Sequence, residues 1–171
     1  MKVVLTGGPC TGKTTVIEEL ASRGYAVLPE AARLVISQMK AQNKFSPEKA
    51  VEIQQHILSK QVELESKLDE GLIFFDRSGL DTAAYCRFFK TRLPYSIRMY
   101  AAHSGFSKVF ILEPVSKFQN DEIRYENIEE AKQIHELIRN VYIEFGYQPI
   151  SVPVIPPKQR ADFILNYLGA T

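Results

Sequence analysis

Five short apolar runs bounded by turn residues stand out along the chain: Lys2–Thr6, Tyr25–Leu28, Leu72–Phe75, Lys108–Leu112 and Ile150–Val152. Their length, and the Gly, Pro and polar clusters that flank them, predict β-strands. The stretches between them carry helical spacing instead. Asn127 and Glu130 stand at capping-box separation, and Ile128, Ala131, Ile134, Ile138, Val141 and Phe145 then recur at helical period until Gly146. This predicts one helix with a defined start and stop. Lys13–Ser22 reads as a helix, as does the stretch after Pro156-Pro157 that carries Arg160, Ala161, Ile164, Leu165 and Leu168. Strands alternating with helices predict a three-layer α/β domain, with a five-stranded, mainly parallel sheet covered on both faces.

Pro47–Glu70 has a more unusual pattern. At about 100° per residue, Val51, Ile53, Ile57, Leu58, Val62, Leu64 and Leu68 fill roughly half the circumference, and Gln54, Gln61 and Glu65 run down the middle of that half. A polar stripe inside an apolar face needs partners. It predicts either a wet seam between helices or the border of a polar substrate pocket. His56 falls on the opposite, charged face and reads as solvated.

Composition narrows the setting. The 171 residues suit a single domain spanning 1–171, with no repeat or linker to divide it. Lys plus Arg is 21 against 20 for Asp plus Glu, a net charge of +1, so no global field draws nucleic acid or an anionic membrane, any basic chemistry must be local, and nucleic acid is not expected as a partner. Apolar runs such as Leu72–Phe75 are four residues long, far below the roughly 18 of a membrane span. Three apolar residues between Lys2 and Thr6 are too few for a signal-peptide core, which leaves the cytoplasm as the expected location. Cys10 and Cys86 are far apart and read as free thiols in a reducing compartment. His56, His103 and His135 are scattered, without zinc spacing.

The chemistry concentrates after the first strand. Gly7-Gly8-Pro9-Cys10-Thr11-Gly12-Lys13-Thr14 matches G-x-x-x-x-G-K-[ST] between a predicted strand and a predicted helix. Glycines let such a backbone turn back and aim N–H groups at phosphate oxygens, while a helix N-terminus adds partial positive charge. Lys13 would reach the outer phosphates of ATP or GTP, and Thr14 would place its hydroxyl on a bridging Mg²⁺. Leu72–Phe75 leads into Asp76, the pattern of a buried strand ending in the acid that holds Mg²⁺ or, equally by spacing, takes a proton from an attacking hydroxyl. Arg77 follows, as a phosphate ligand or as the residue that fixes the acid.

Glu30 and Arg33 follow the second strand, where Glu30 also suits the first turn of a helix. Glu113, after the fourth strand, faces the same sheet edge. Gln119–Glu126 is polar and long enough for a mobile lid, and its Arg124 is the natural in-cis arginine for charge on a transferring phosphoryl group. The Pro153–Pro157 loop can border a nucleotide base or simply end a strand and start a helix. No Asn-Lys-x-Asp guanine motif is present, since Asn43-Lys44 continues into Phe45-Ser46, which disfavours a Ras-like switch.

Taken together, Gly7 to Thr15, Pro29-Glu30-Ala31-Ala32-Arg33, Phe75-Asp76-Arg77-Ser78, Gln119-Asn120-Asp121-x-x-Arg124 and the late Arg160 resemble the small AAA-domain P-loop family that includes the kinase domain of the bacterial NAD regulator and the animal TRPL translocation-defect proteins. The resemblance covers nearly the whole chain. It implies a kinase-like P-loop fold whose loop residues, Gly7 through Thr15, bind ATP or GTP with Mg²⁺, and phosphorylation of a nucleoside-like hydroxyl on an unidentified small acceptor. Asp76-Arg77-Ser78 is similar to the acid-Arg-Ser of deoxynucleoside kinases. Two readings stay open. One is a Mg²⁺-dependent small-molecule kinase using Lys13, Arg124, Thr14, Asp76 and Glu30; the other is a nucleotide-binding or slow NTPase module that signals through a protein or lipid partner.

Overall fold

In β1 (Lys2–Thr6) successive side chains point to opposite faces of the sheet. Val3 and Leu5 join Val16, Ile17 and Leu20 of α1 (Lys13–Ser22) and Ala161, Ile164 and Leu165 of α7 (Pro157–Leu168), whereas Val4 packs on the other side. Both faces are therefore apolar, which is why the strands read as near-continuous hydrophobic runs rather than as alternating ones. The computed structural model describes residues 1–46, 49–68, 70–115 and 127–170.

β1 lies at the centre of a parallel five-stranded sheet with β2 (Ala26–Leu28), β3 (Ile73–Asp76), β4 (Lys108–Leu112) and β5 (Ile150–Val152), in the order β2-β3-β1-β4-β5. On the Val4 face lie α4 (Asp81–Phe88), α5 (Tyr95–Ser104) and α6 (Ile128–Glu144), together with Leu58 of α3 (Ala50–Glu65). α2 (Ala31–Ala41) packs on α3 through the satellite cluster Ala31, Val35, Ile53 and Ile57. Phe75 is fully buried opposite Val4 and meets Phe106 edge-on at 5.5 Å; truncating it to Ala would cost about 3–5 kcal/mol.

The expected three-layer architecture is present. The capping box of α6 forms as its spacing predicts, with Glu130 N–H donating to Asn127 Oδ1 at 3.0 Å and Asn127 N–H to Glu130 Oε2 at 2.8 Å. Three elements differ in their bounds. β2 and β3 each start one residue later than expected, and β3 includes Asp76. The helix expected over Pro47–Glu70 covers Ala50–Glu65, and beyond Glu65 the backbone tightens into turns that bond three residues back, Lys67 N–H to Leu64 O and Leu68 N–H to Glu65 O, both at 3.3 Å.

Register decides where chemistry collects. Leu5 pairs with Asp76 and Thr6 with Ile111, so β1, β3 and β4 end level with one another. The loops that follow them share one edge of the sheet, where α/β folds hold ligands.

Candidate active site

The loop after β1 is wedged between the end of β4 and α6. Gly7 has φ +135° and a Cβ there would stand 2.8 Å from Leu112 O, while a Cβ on Gly8 would meet Ala131 O at 2.7 Å and His135 Cβ at 2.9 Å. No larger residue fits either place. Gly12 then turns the chain into α1, whose first turn carries Lys13, Thr14 and Thr15. The N–H groups of that turn lack intrahelical partners.

Lys13 is buried, and its Nζ donates to Gly7 O at 2.9 Å, Gly8 O at 2.8 Å and Thr11 Oγ1 at 3.1 Å. Thr11 Oγ1 in turn donates to Gly8 O at 3.2 Å. Thr14 is half-buried and Thr15 exposed. Cys10 adopts φ +56°, and among the described residues neither Cys10 nor Cys86 is in a disulfide.

Arg160 lies beneath the loop rather than in it. The side chain is 2% exposed, and its guanidinium donates to three carbonyls: Thr11 O in the loop, Glu113 O at 3.0 Å after β4, and Pro153 O at 2.9 Å after β5. One planar fork thus ties three segments together, as a point-like ammonium would not. The loop at Pro153 serves as an anchor for Arg160 and as the start of α7, with Pro157 in its first turn.

Asp76 closes β3 with its side chain buried, and Oδ1 has no hydrogen-bond partner among the described residues. Burial pushes its pKa up to about 6, Glu30 and Asp81 add to the rise, and Lys13 and Arg77 oppose it. Among the described residues no group of three or more His, Cys, Asp or Glu side chains is placed to hold a metal. A buried carboxylate with an unsatisfied oxygen instead fits Mg²⁺ that takes most of its oxygens from phosphate and water.

Arg77 has φ +68°, and its backbone N–H bonds Leu5 O at 2.9 Å. Its side chain turns inward: Nε donates to Glu30 Oε1 at 3.0 Å, Nη1 donates to Asp81 Oδ1 at 3.0 Å, and the guanidinium lies 5.8 Å from the Tyr85 ring centroid. The acids it holds are Glu30 and Asp81; among the described residues no hydrogen bond joins it to Asp76, the acid the sequence pointed to. Glu30 occupies the position before α2, yet its side chain makes no capping bond. The expected first-turn role gives way to the ion pair with Arg77, with Arg33 Nε 4.0 Å away.

The sequence reading missed Asp81. This buried acid accepts from Thr6 Oγ1 at 2.6 Å, Arg77 Nη1, Ser78 N–H at 3.1 Å and Tyr142 OH at 2.7 Å. The available signal was an acid four residues after Arg77, within helical reach. His135 was also passed over: it is buried, and Nδ1 accepts from Gly8 N–H at 3.2 Å. Glu113 is held by Arg139 Nη2 at 2.7 Å.

Beside the loop, Pro9, Glu30, Ala31, Arg33, Gln54, Gln61, Arg77, Thr82 and Tyr85 border a small cleft of about 90 Å³. Gln54 is 5% exposed and makes no hydrogen bond among the described residues, and Thr82 Oγ1 is buried without a partner among them. Gln61 Nε2 donates to Glu65 Oε1 at 2.9 Å, which leaves its amide oxygen uncommitted. The stripe on α3 therefore divides. Gln54 and Gln61 face the cleft, whereas Glu65 sits in an interhelical seam, accepting from Tyr100 OH and standing 3.6 Å from Lys2 Nζ. His56 is exposed, as expected. Arg124 and the rest of the expected lid, apart from its surroundings at Asn127, lie outside the described residues.

No helix among the described residues is long and apolar enough to cross a membrane. No curated protein matches the chain in sequence. Among solved structures, the NadR protein in complex with NAD and AMP-PNP superposes with a TM-score of 0.76 at 19% identity, over 99% of this chain and 50% of that one; this chain thus spans half the length of NadR. Deoxyadenosine kinase from M. mycoides, with dCMP and dCDP bound, gives 0.72 at 17% identity over 99% of both chains. Shikimate kinase from Aquifex aeolicus gives 0.58 at 17% over 99% of this chain and 96% of that one. At these identities the likeness establishes the P-loop kinase fold. The family model described as AAA domain matches residues 2–160, and the chain belongs to that family.

Proposed function

We propose that the protein is a Mg²⁺-dependent kinase that moves the γ-phosphoryl group of ATP or GTP to a hydroxyl of a small, nucleoside-like acceptor. The observation that carries this reading is the cleft beside the phosphate loop, bordered by Gln54, which makes no hydrogen bond among the described residues, and by Thr82, whose buried hydroxyl has no partner among them. Buried polar groups without partners are costly unless a ligand completes them. A nucleotide-sensing module has no need of such a cleft.

In this reading the loop amides and the α1 N-terminus bind the phosphates, and Lys13, kept on Gly7 O, turns from Gly8 O and Thr11 Oγ1 to phosphate oxygens. Thr14 and Asp76 hold Mg²⁺, which when bound neutralises charge on the β- and γ-phosphates. Glu30, which borders the cleft while Asp76 does not, takes the acceptor's proton. Arg77 holds Glu30 in place. Its guanidinium is committed to Glu30 and Asp81, and Arg33 also borders the cleft. Arg124 is assigned to the transferring phosphoryl group from its sequence position alone.

The test is release of nucleoside diphosphate from ATP or GTP with Mg²⁺ and a pooled nucleoside, vitamin and sugar library. Acceptor-stimulated release that is lost in Lys13→Ala supports a kinase. Turnover indifferent to every acceptor supports the sensing module, and unchanged ATP and GTP affinity in Lys13→Ala removes nucleotide binding at the loop.

A further inference from the structure

The peptide unit that joins Gly7 to Gly8 is gripped at both ends. Its carbonyl, Gly7 O, accepts from Lys13 Nζ at 2.9 Å, and its N–H, on Gly8, donates to Nδ1 of His135 at 3.2 Å. Gly8 is seated directly on α6, since a Cβ there would stand within 2.9 Å of Ala131 O and His135 Cβ. A ring nitrogen accepts a backbone N–H only while it carries no proton, so this imidazole is neutral with its proton on Nε2. Nε2 is buried 3.4 Å from Glu113 Oε2, too poorly aligned for a hydrogen bond.

We propose that His135 is a positioning residue of the phosphate loop: its unprotonated Nδ1 holds the Gly7–Gly8 peptide in the orientation that presents Gly7 O to Lys13, and losing that acceptor, by protonation of the ring or by substitution, weakens nucleotide binding. The proposal rests on the nucleotide-binding reading above. Protonation would set an N–H on Nδ1 against the N–H of Gly8, so the peptide would have to rotate or move away. The surroundings keep the ring neutral. Burial is the largest influence and pulls its pKa below the usual imidazole value; Glu113 after β4 and Glu136 on α6 favour the charged ring, while Arg139 on α6 and Lys13 in the loop oppose it. The sensitivity therefore lies on the acid side of the ordinary imidazole range.

Two variants separate positioning from packing. In His135→Asn the amide oxygen takes the place of Nδ1 and does not titrate, whereas His135→Leu fills the space with no acceptor. Titrations with ATP and Mg²⁺ at pH 8 should show the Leu variant weaker by roughly 3- to 10-fold and the Asn variant within about twofold of the wild type. On moving to pH 5.5 the wild type should lose more affinity than the Asn variant, whose profile reports the protonation of ATP and of Asp76. Nitrogen-15 spectra of the imidazole at neutral pH should place the proton on Nε2. Amide exchange at Gly8 should be slow in the wild type and the Asn variant, and faster in the Leu variant.

A proton on Nδ1, wild-type affinity and pH profile in the Leu variant, or Gly8 exchange indifferent to the substitution overturns the proposal. So does tighter binding of the wild type than of the Asn variant on acidification. Should the Leu variant fail to fold, the Asn comparison and the proton position decide. Should the wild type bind neither ATP nor GTP, the functional reading falls, and proton position and Gly8 exchange still decide whether His135 holds the loop.

Discussion

Arg77 Nε stands 3.0 Å from Glu30 Oε1, joining the residue that follows β3 to the residue that precedes α2. β2 and β3 are paired neighbours, with Leu28 opposite Phe75, so two loops distant in sequence emerge side by side. The same guanidinium holds Asp81 at 3.0 Å. Glu30 reaches the cleft with its orientation already set, and a pre-set acid is what proton transfer from a bound hydroxyl needs.

Because both acids and the arginine are largely buried, removing the arginine alone leaves charge without compensation. Arg77→Met should destabilise the protein by about 3–5 kcal/mol, read from urea unfolding. Arg77→Lys should recover only part of this, since one ammonium cannot bridge both carboxylates. A Met variant as stable as the wild type would mean that the ion pairs do not hold these loops.

Asp76 has its pKa raised from 3.8 to about 6 by burial above all. The folded state therefore binds more protons than the unfolded state between those values, so stability is greatest below pH 4 on this account and is lost as pH rises through 6. Asp76→Asn removes that loss. Without added Mg²⁺ it should raise stability at pH 7 to 8 by roughly 1–3 kcal/mol, with little gain near pH 4, while turnover collapses. Melting curves across pH check the first part. Full activity of the Asn variant at saturating Mg²⁺ would remove Asp76 from the metal site.

The divided stripe on α3 separates two roles by substitution to Leu. Gln54→Leu should lower the acceptor-dependent rate at least about tenfold, by removing a recognition group whose loss strands the partner on the ligand, without lowering the melting temperature. Glu65→Leu should instead lower stability, because it strands Tyr100 OH and the Gln61 amide. Steady-state kinetics and melting of the two variants should therefore move in opposite columns. Identical effects would show that the two positions belong to one seam.

Arg160 supports the loop from beneath, so Arg160→Lys should behave almost as badly as Arg160→Met. An ammonium cannot reach three carbonyls spread over three segments, and each stranded acceptor costs roughly 1–3 kcal/mol. Nucleotide affinity and unfolding free energy should fall together. Loss of affinity with wild-type stability would argue that Arg160 touches the nucleotide instead.

Much of this was legible in the residues themselves. A two-sided apolar strand, a capping box and a glycine-rich run ahead of a lysine are local, and each is decided within one turn or one strand, so the spacing of β1, the start of α6 and the phosphate loop followed from sequence. Glu30, Arg77 and Asp76 could be named as candidates because each follows a predicted strand. Which acid pairs with which base could not. Asp81 and His135 look ordinary in the chain, one in a helix start and one on an amphipathic helix, and they matter only because parallel pairing of β3 and β4 to β1 brings their loops and α6 against Thr6 and Gly8. The α3 stripe is the same case. Helical period placed Gln54, Gln61 and Glu65 on one face, but the packing of α2 and α5 along that face decided that two of them border the cleft and the third closes a seam, since a side chain's partners are set by what the fold lays over it rather than by its own spacing.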